Sequence, residues 1–181
     1  LAPRSAAFNT LAMLLGAHYR LFLGPTTRRH VASLDDGLDG FLARRSTRLR
    51  RNLRRALRQA DTAGVQWQWL SAVPDPAERT SLYQRILAID DSSWKGLSAQ
   101  GLNASGMGEF YNLMTARLAQ RGDLRVIVGS IAGEAVAFGF GSVFGDTFRG
   151  LQMSFDDRFR HLSLGNLVQL KLIEHLCEEP L

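Results

Sequence analysis

The chain has 181 residues, of which 45% are hydrophobic and 22% charged, and its formal net charge is +5. This composition is typical of a globular domain with a sizeable core, and a single cysteine excludes a disulfide scaffold. No apolar run is long enough to span a membrane, and the four histidines lack the spacing of zinc ligands. A lone cysteine is typical of a reducing compartment, so we expect a cytoplasmic protein without a metal site.

The first part of the chain predicts one helix and two strands: residues 5–17 as helix, then 18–24 and 26–34 as strands around Gly24-Pro25. Residues 37–60 have the apolar spacing of a helix, either continuous or divided near Ser46, and Gly64 is a typical stop. We expect residues 1–35 to form an N-terminal segment and residues 36–181 to form the main domain.

From residue 65 onward, the predicted order is one strand, two helices, three strands and a final helix. The strands are predicted over 65–70, 124–131, 134–144 and 147–155, and the helices over 77–91, 109–122 and 163–179. Short turns at Ala132-Gly133 and Gly145-Asp146 predict that the last three strands form an antiparallel meander. Loops are predicted over the Gly- and Ser-rich residues 94–108 and the polar residues 156–162.

The sequence RHLSLGN, residues 160–166, lies where the meander ends and the last helix begins. Helix N-termini present unpaired N–H groups and a partial positive charge, and a glycine there lets a phosphate approach the backbone. Arg160 can add charge-assisted hydrogen bonds to the same anion. The pattern predicts a phosphate site. The simpler alternative is that Ser163 is only a helix cap and Gly165 only a packing glycine.

This order of elements resembles the acyl-CoA-binding core of the GNAT acyltransferase superfamily. There, an R/Q-x-x-G-x-G/A loop holds the cofactor phosphates, and residues 160–165, RHLSLG, are similar to it with Ser163 at the first glycine. Four ordered stretches within residues 41–178 resemble the CelD/BcsL-type branch, near the FemABX-like transferases. They are STRLRRNLRRALRQADTAGV, DDSSWKGLSAQGL, EFYNLMTARLAQRGDLRVIVGSIAGEAVAFGFG and SFDDRFRHLSLGNLVQLKLIEHL.

The resemblance implies a mixed α/β, GNAT-like fold whose central, mostly antiparallel sheet is flanked by helices. It implies transfer of an acyl group from acetyl-CoA or another acyl-CoA to a small-molecule or glycan amine, often in cell-surface polysaccharide metabolism. It also implies further strands after residue 181, or a sheet completed by residues 18–34. Residues 1–35 are then an N-terminal helix and strand pair, or the end of a preceding GNAT-like half.

The resemblance also assigns roles around the fourth predicted strand. Backbone N–H groups of Met153, Ser154 and Phe155 are expected to face the thioester, with Ser154 counted among the catalytic groups. The residues expected to bind the cofactor are Met153, Phe155, Arg160, Ser163, Gly165 and Asn166.

Two further pairs of residues are candidates for the chemistry. Asp156 and Asp157 are the candidate acid–base residues, with turn formation or ion pairs to the following arginines as the alternative. Trp94 and Lys95 are expected on the acceptor side of the cleft, and the alternative for Trp94 is a core anchor.

The positive charge is concentrated in FLARRSTRLRRNLRRALRQAD, residues 41–61. This segment has eight arginines against one aspartate, a surplus of +7 that leaves about −2 for the rest of the chain. At 100° per residue, its leucines and alanines fall on one side and an arginine stripe on the other, which predicts a docked amphipathic helix. The stripe consists of Arg44, Arg48, Arg51, Arg55 and Arg58.

Three functions fit this arginine stripe. In the first, which we favour, Arg51 and Arg55 face an anionic acceptor, a cofactor or a phosphorylated glycan within an enzyme. In the second, the segment is an RNA-binding module or part of a FemABX-like aminoacyl-tRNA-dependent transferase, although no aromatic residues alternate with its arginines. In the third, the helix lies on a membrane surface, for which only Phe41 supplies a bulky aromatic side chain.

Overall fold

The computed structural model describes residues 5–22, 24–25 and 30–179. The chain divides into two compact units, Leu1–Ala32 and Ser33–Leu181. Among the described residues, no helix combines the length and the hydropathy that a bilayer crossing requires.

The first unit contains helix α1, Ala6–Gly16, as the sequence predicts, and Ser5 Oγ caps it by accepting from the Phe8 N–H. The predicted strands over 18–24 and 26–34 are wrong wherever this segment is described, because it contains no strand there. Leu23 and residues 26–29 lie outside the described residues. Apolar spacing alone does not make a strand, since a strand also needs a hydrogen-bonded neighbour.

The second unit contains helices and strands in the order that the sequence predicts from residue 65 onward. The helices are α2 Gly37–Ala43, α3 Thr47–Thr62, α4 Pro76–Asp91, α5 Trp94–Leu97, α6 Gly108–Gln120 and α7 Leu164–Glu178. The strands are β1 Gln66–Leu70, β2 Leu124–Ile131, β3 Glu134–Phe144 and β4 Thr147–Phe155, and a 3₁₀ helix covers Asp157–Leu162. Both predicted loops thus contain short helices. The first of these, α5, begins where Ser93 Oγ accepts from the Gly96 N–H.

The arginine-rich segment is divided into α2 and α3 at Ser46. The backbone of Ser46 is extended, and its Oγ accepts from the Leu49 N–H at 3.2 Å. This cap satisfies one of the donors that a helix start leaves free. Of the two possibilities that the sequence allows, the divided helix is therefore the correct one.

Four strands form one antiparallel sheet in the order β1-β2-β3-β4. The turn between β2 and β3 consists of Ala132 and Gly133, whose φ angles of 50° and 84° are the two positive values that a tight hairpin turn requires. The predicted meander of the last three strands is confirmed. Within the described chain, β4 pairs with β3 alone, so its other edge is open.

Helices cover both faces of this sheet, and each face has its own core. On one face, α2, α3 and α7 pack around a cluster that includes Leu53 and Leu167. Trp67 and Trp69 of β1 pack against the same cluster. On the other face, α4 and α6 pack around Phe138 and its neighbours. The result is a mixed α/β fold with helices on both sides of an antiparallel sheet.

Helix α3 has one buried side and one arginine-covered side. Leu53, Ala56 and Ala60 are buried against the core, which confirms the predicted docked helix. Five arginines of α3 are exposed, and none of them forms an ion pair with an acid in the part of the chain that the structure describes. These five, called here the arginine face, are Arg48, Arg51, Arg54, Arg55 and Arg58.

Candidate functional site

Backbone groups at the end of β4 alternate between the two edges of the strand. The Asp156 N–H donates to the Val136 carbonyl of β3 at 2.9 Å, and N–H groups two residues apart face the same edge. Ser154 therefore directs its N–H toward β3, whereas Met153 and Phe155 direct theirs to the open edge. The expectation that Ser154 faces a thioester is wrong, because its N–H lies in the ladder and its side chain is buried. Met153 and Phe155 have the orientation that their predicted role needs.

The first turn of α7 presents unpaired backbone donors. Ser163 precedes it in the left-handed conformation, with φ 56° and ψ 37°, and its side chain makes no capping hydrogen bond. Within the described residues, the N–H groups of Leu164 and Gly165 donate to no protein acceptor. Ser163 is therefore the N-cap residue by position, as the alternative expects, but its hydroxyl satisfies none of the free donors. This turn keeps the free donors and the partial positive charge that attract an anion.

Gly165 lies directly against the end of β4. A Cβ at this position would lie 3.2 Å from Phe155 Cε1 and 3.4 Å from Met153 Cε. Gly165 is thus a packing glycine, and it is itself half-buried in the first turn of α7. The structure brings Met153, Phe155 and Gly165 together, and the exposed side chains of Arg160 and Asn166 flank the same turn in sequence. Their binding roles stay predictions.

Replacing Ser163 by glycine is expected to raise the free energy of unfolding by about 1 kcal/mol, because a left-handed conformation costs a non-glycine residue roughly that amount. Ala132→Gly should act in the same direction, since the φ of Ala132 is also positive. Ala116→Gly, inside α6, is the matched control and should destabilise by about 1 kcal/mol. Urea unfolding of the three variants measures these differences, and a destabilised Ser163→Gly protein would contradict the expectation.

The Asp156 carboxylate is engaged in an ion pair. It is buried, and it accepts from the Arg158 N–H at 2.9 Å and from the Arg158 guanidinium at 2.7 Å. Arg158 also donates to Glu134 at 2.5 Å. Burial raises the pKa of Asp156, but the hydrogen bonds from Arg158 outweigh burial and hold this pKa below its ordinary value. Because a carboxylate with a lowered pKa is a weak base, the geometry favours the ion pair that the sequence offers as the alternative.

Asp156→Asn is expected to destabilise the protein at neutral pH, and the difference from wild type should vanish in acid. The pKa of Asp156 is lower in the folded than in the unfolded state. The ionised group therefore contributes stability that is fully present above the unfolded value, near pH 4, and is lost as the pH falls through the folded value. Urea midpoints between pH 7 and pH 3 measure this change. Exposed Asp146→Asn is the control, and a pH-independent difference for Asp156→Asn would contradict the expectation.

The α4–α5 junction covers part of the open edge of β4. Lys95 Nζ donates to the Met153 carbonyl at 3.1 Å, and the Asp157 N–H donates to the Ser92 carbonyl at 3.0 Å. Trp94 is 57% exposed, so the alternative that it anchors the core is wrong. The acceptor-side roles of Trp94 and Lys95 stay predictions, and so does acid–base chemistry at Asp157.

Asp90 is the site residue that sequence reasoning left without a role. It lies 3.1 Å from Lys95 Nζ and accepts from the Leu102 N–H at 2.6 Å, although it is almost completely buried. A signal was present, because Asp90 follows Ile86 by four residues and so shares the buried side of α4. A carboxylate on the buried side of a helix requires a charged or hydrogen-bonding partner.

Arg51 and Arg55 are not brought to the open edge of β4. Both belong to the arginine face of α3, and within the described chain no hydrogen bond or ion pair joins either to the residues around β4 and α7. Their predicted contact with an anionic acceptor therefore stays a prediction.

A cavity of about 440 Å³ lies between β4 and the later turns of α7. Most of its lining is apolar and includes Phe148, Leu172 and Leu176, with Gln169 as a polar member. Met153 lines the cavity and also belongs to the open edge of β4. The cavity therefore extends along α7 from Gln169 to Leu176, and Met153 connects it to the end of β4.

An antiparallel sheet with helices on both faces, followed by a helix whose unpaired first turn lies against the last strand, defines a GNAT-like fold. A family model described as an acetyltransferase (GNAT) domain matches residues 47–181, and the chain belongs to this family. It therefore contains a domain with a general acyltransferase function, and domains of this kind generally use an acyl-CoA such as acetyl-CoA. No curated protein gives a significant match to the sequence.

Proposed function

We propose that this protein is an acyl-CoA-dependent N-acyltransferase that binds its donor across the open edge of β4 and the first turn of α7. The observation that supports this most is the unpaired N–H group of half-buried Gly165, set against Met153 and Phe155. A donor at a helix start and two at a strand edge suit a long cofactor with phosphates near one end and a thioester at the other.

The first turn of α7 fits a diphosphate. It contains no acidic residue that would repel the anion, and Arg160, three residues before Ser163, is exposed. A helix start attracts anions through its partial charge, and an arginine adds charge-assisted hydrogen bonds. In this proposal Gly165 binds the diphosphate through its backbone N–H group, with the exposed side chains of Arg160 and Asn166 beside it.

The cavity beside α7 and the edge of β4 fit the remainder of the donor. An apolar cavity that starts at Met153 suits the pantetheine arm. When bound, the donor supplies an acyl group activated as a thioester. The Met153 and Phe155 N–H groups face the donor along the strand edge, and the Phe155 N–H can donate to the thioester oxygen as negative charge develops there. The acyl carbon–sulfur bond breaks, an acyl carbon–nitrogen bond forms, and the proton that the amine loses is taken up by the leaving sulfur.

The acceptor in this proposal is a small-molecule or glycan amine. The reaction takes place in the cytoplasm and belongs to cell-surface polysaccharide metabolism. The resemblance of DDSSWKGLSAQGL and the neighbouring stretches to the CelD/BcsL-type branch supports this assignment. Exposed Trp94, at the covered part of the β4 edge, is the side chain best suited to contact a sugar ring.

Acetyl-CoA at about 100 times its dissociation constant is expected to raise the melting temperature by about 5–10 °C, since such saturation adds about 2.7 kcal/mol. Thermal unfolding with and without acetyl-CoA measures this shift. S-acetyl-N-acetylcysteamine, a thioester without phosphates, is the control and should give little stabilisation. An unchanged melting temperature, together with salt-sensitive binding of RNA, would overturn the proposal in favour of an RNA-binding module.

A further inference from the structure

Lys95 is one of two lysines in the chain, and it is fixed between a buried carboxylate and the open edge of β4. Its Nζ lies 3.1 Å from Asp90 Oδ1 and donates to the Met153 carbonyl at 3.1 Å. The Asp90 side chain is 1% exposed and the Lys95 side chain 23% exposed. The ammonium group is thus held by the buried Asp90 carboxylate and is partly exposed to solvent beside β4.

The chain around Asp90 is built to hold that carboxylate in one place. Asp90 Oδ2 accepts from the Leu102 N–H at 2.6 Å, and Ser93 Oγ donates to the Asp90 carbonyl at 2.6 Å. A Cβ at Gly101 would lie 3.0 Å from Asp90 Oδ2, and one at Gly96 would collide with the backbone of Asp90. Both glycines therefore permit a close turn that positions the carboxylate.

Lys95 also has donors to spare. An ammonium has three N–H donors, and within the described residues the Lys95 ammonium makes one hydrogen bond, to the Met153 carbonyl. The contact with Asp90 Oδ1 is an ion pair of poor hydrogen-bond geometry, because that oxygen has no hydrogen-bond partner in the described chain. A donor that is neither satisfied nor fully buried can turn toward a ligand.

Beside Lys95, the edge of β4 has room for a carbonyl oxygen of a ligand. The Met153 carbonyl, bonded to Lys95, and the Phe155 N–H face the same edge, within the roughly 7 Å that two residues of a strand span. The next donor along this edge, the Asp157 N–H, is already bonded to Ser92. A carbonyl oxygen that accepts from the Phe155 N–H therefore lies within reach of the Lys95 ammonium.

We propose that Lys95 is a catalytic residue that donates to the thioester oxygen together with the Phe155 N–H, and that Asp90 is its positioning residue. The inference rests on the proposed function. As the amine attacks, the carbonyl electron pair moves onto this oxygen, and the ammonium stabilises the developing charge. The charge returns when the carbon–sulfur bond breaks, so Lys95 undergoes no net change.

The test measures the carbonyl stretch of acetyl-CoA, labelled with ¹³C at its carbonyl, by isotope-edited infrared spectroscopy. In wild type, binding should shift this stretch to lower wavenumber. In Lys95→Met that shift should be reduced to the part that the Phe155 N–H causes, while the dissociation constant changes less than about threefold. Acyl transfer to D-glucosamine should fall by about 100-fold or more, the effect of removing one oxyanion donor. Lys171→Met is the matched control, because Lys171 is also paired with an acid and is 24% exposed.

A bound acetyl-CoA whose stretch is the same in wild type and Lys95→Met would overturn this inference and leave the proposed function standing. Failure of wild type to bind acetyl-CoA would overturn both. Because Lys95→Met leaves a buried carboxylate unpaired, the double variant Asp90→Asn/Lys95→Met provides the same spectroscopic comparison if the single variant does not fold.

Discussion

Gly165→Glu is expected to weaken acyl-CoA binding by about 100-fold or more and to abolish the thermal shift that acetyl-CoA causes. The new carboxylate would lie at the unpaired N–H group of Gly165 at the start of α7, where it would repel a diphosphate. A hundredfold loss corresponds to about 2.7 kcal/mol. Calorimetric titration with acetyl-CoA measures the dissociation constant.

Two variants separate charge from size in this experiment. Gly165→Ala adds the Cβ that would lie 3.2 Å from Phe155, without a charge, and should bind acetyl-CoA within about tenfold of wild type. Asn166→Glu places a carboxylate at an exposed position of the same turn, where it favours the helix and disfavours an anion. If Gly165→Glu and Asn166→Glu are folded and bind like wild type, the phosphate site is not at α7.

Phe138→Ala is expected to lower the free energy of unfolding by about 3–5 kcal/mol, the usual loss for a large aromatic side chain deleted from a packed core. Phe138 is fully buried in β3, and its ring stacks on Phe140 with centroids 6.0 Å apart. The helices on that face also pack on other strands, so they cannot easily move to fill the cavity that the substitution creates. Equilibrium urea unfolding measures the difference.

Phe144→Ala is the matched control for that variant. It lies in the same strand, but its side chain is 80% exposed, so the change in stability should stay within about 0.5 kcal/mol. Equal losses from the two variants would contradict the assignment of Phe138 to a core and of Phe144 to the surface.

Elements with strong local signals could be predicted from the sequence. The turns at Ala132-Gly133 and Gly145-Asp146 fixed the meander, because each pairs two alternating runs across a short hairpin. The division of the arginine-rich segment depended on Ser46, whose cap could only be stated as a possibility. The prediction of strands within residues 18–34 was wrong for a physical reason: alternating apolar residues form a strand only when another strand supplies hydrogen bonds.

The sequence predicted which residues lie in the site better than it predicted where their N–H groups and side chains point. Gly165 and the end of β4 lie together, as the phosphate-loop resemblance implies. The orientation of Ser154 followed from strand register, which the sequence does not encode residue by residue. Arg158, one of the arginines that follow Asp156 in sequence, is the partner that the structure selects. The long-range contact of Lys95 with Met153 had no local signal.

The arginine face of α3 has a consequence for how any anion acts on this protein. Neighbouring arginines such as Arg51 and Arg55 repel each other across one helical turn, with no acid among the described residues paired to them. At low ionic strength this face attracts every polyanion, CoA included, and relief of the repulsion stabilises the helix. Raising the salt to about 0.15 M shortens the Debye length to about 8 Å and screens that attraction. The stabilisation by acetyl-CoA that persists at this ionic strength therefore does not depend on long-range attraction by the arginine face.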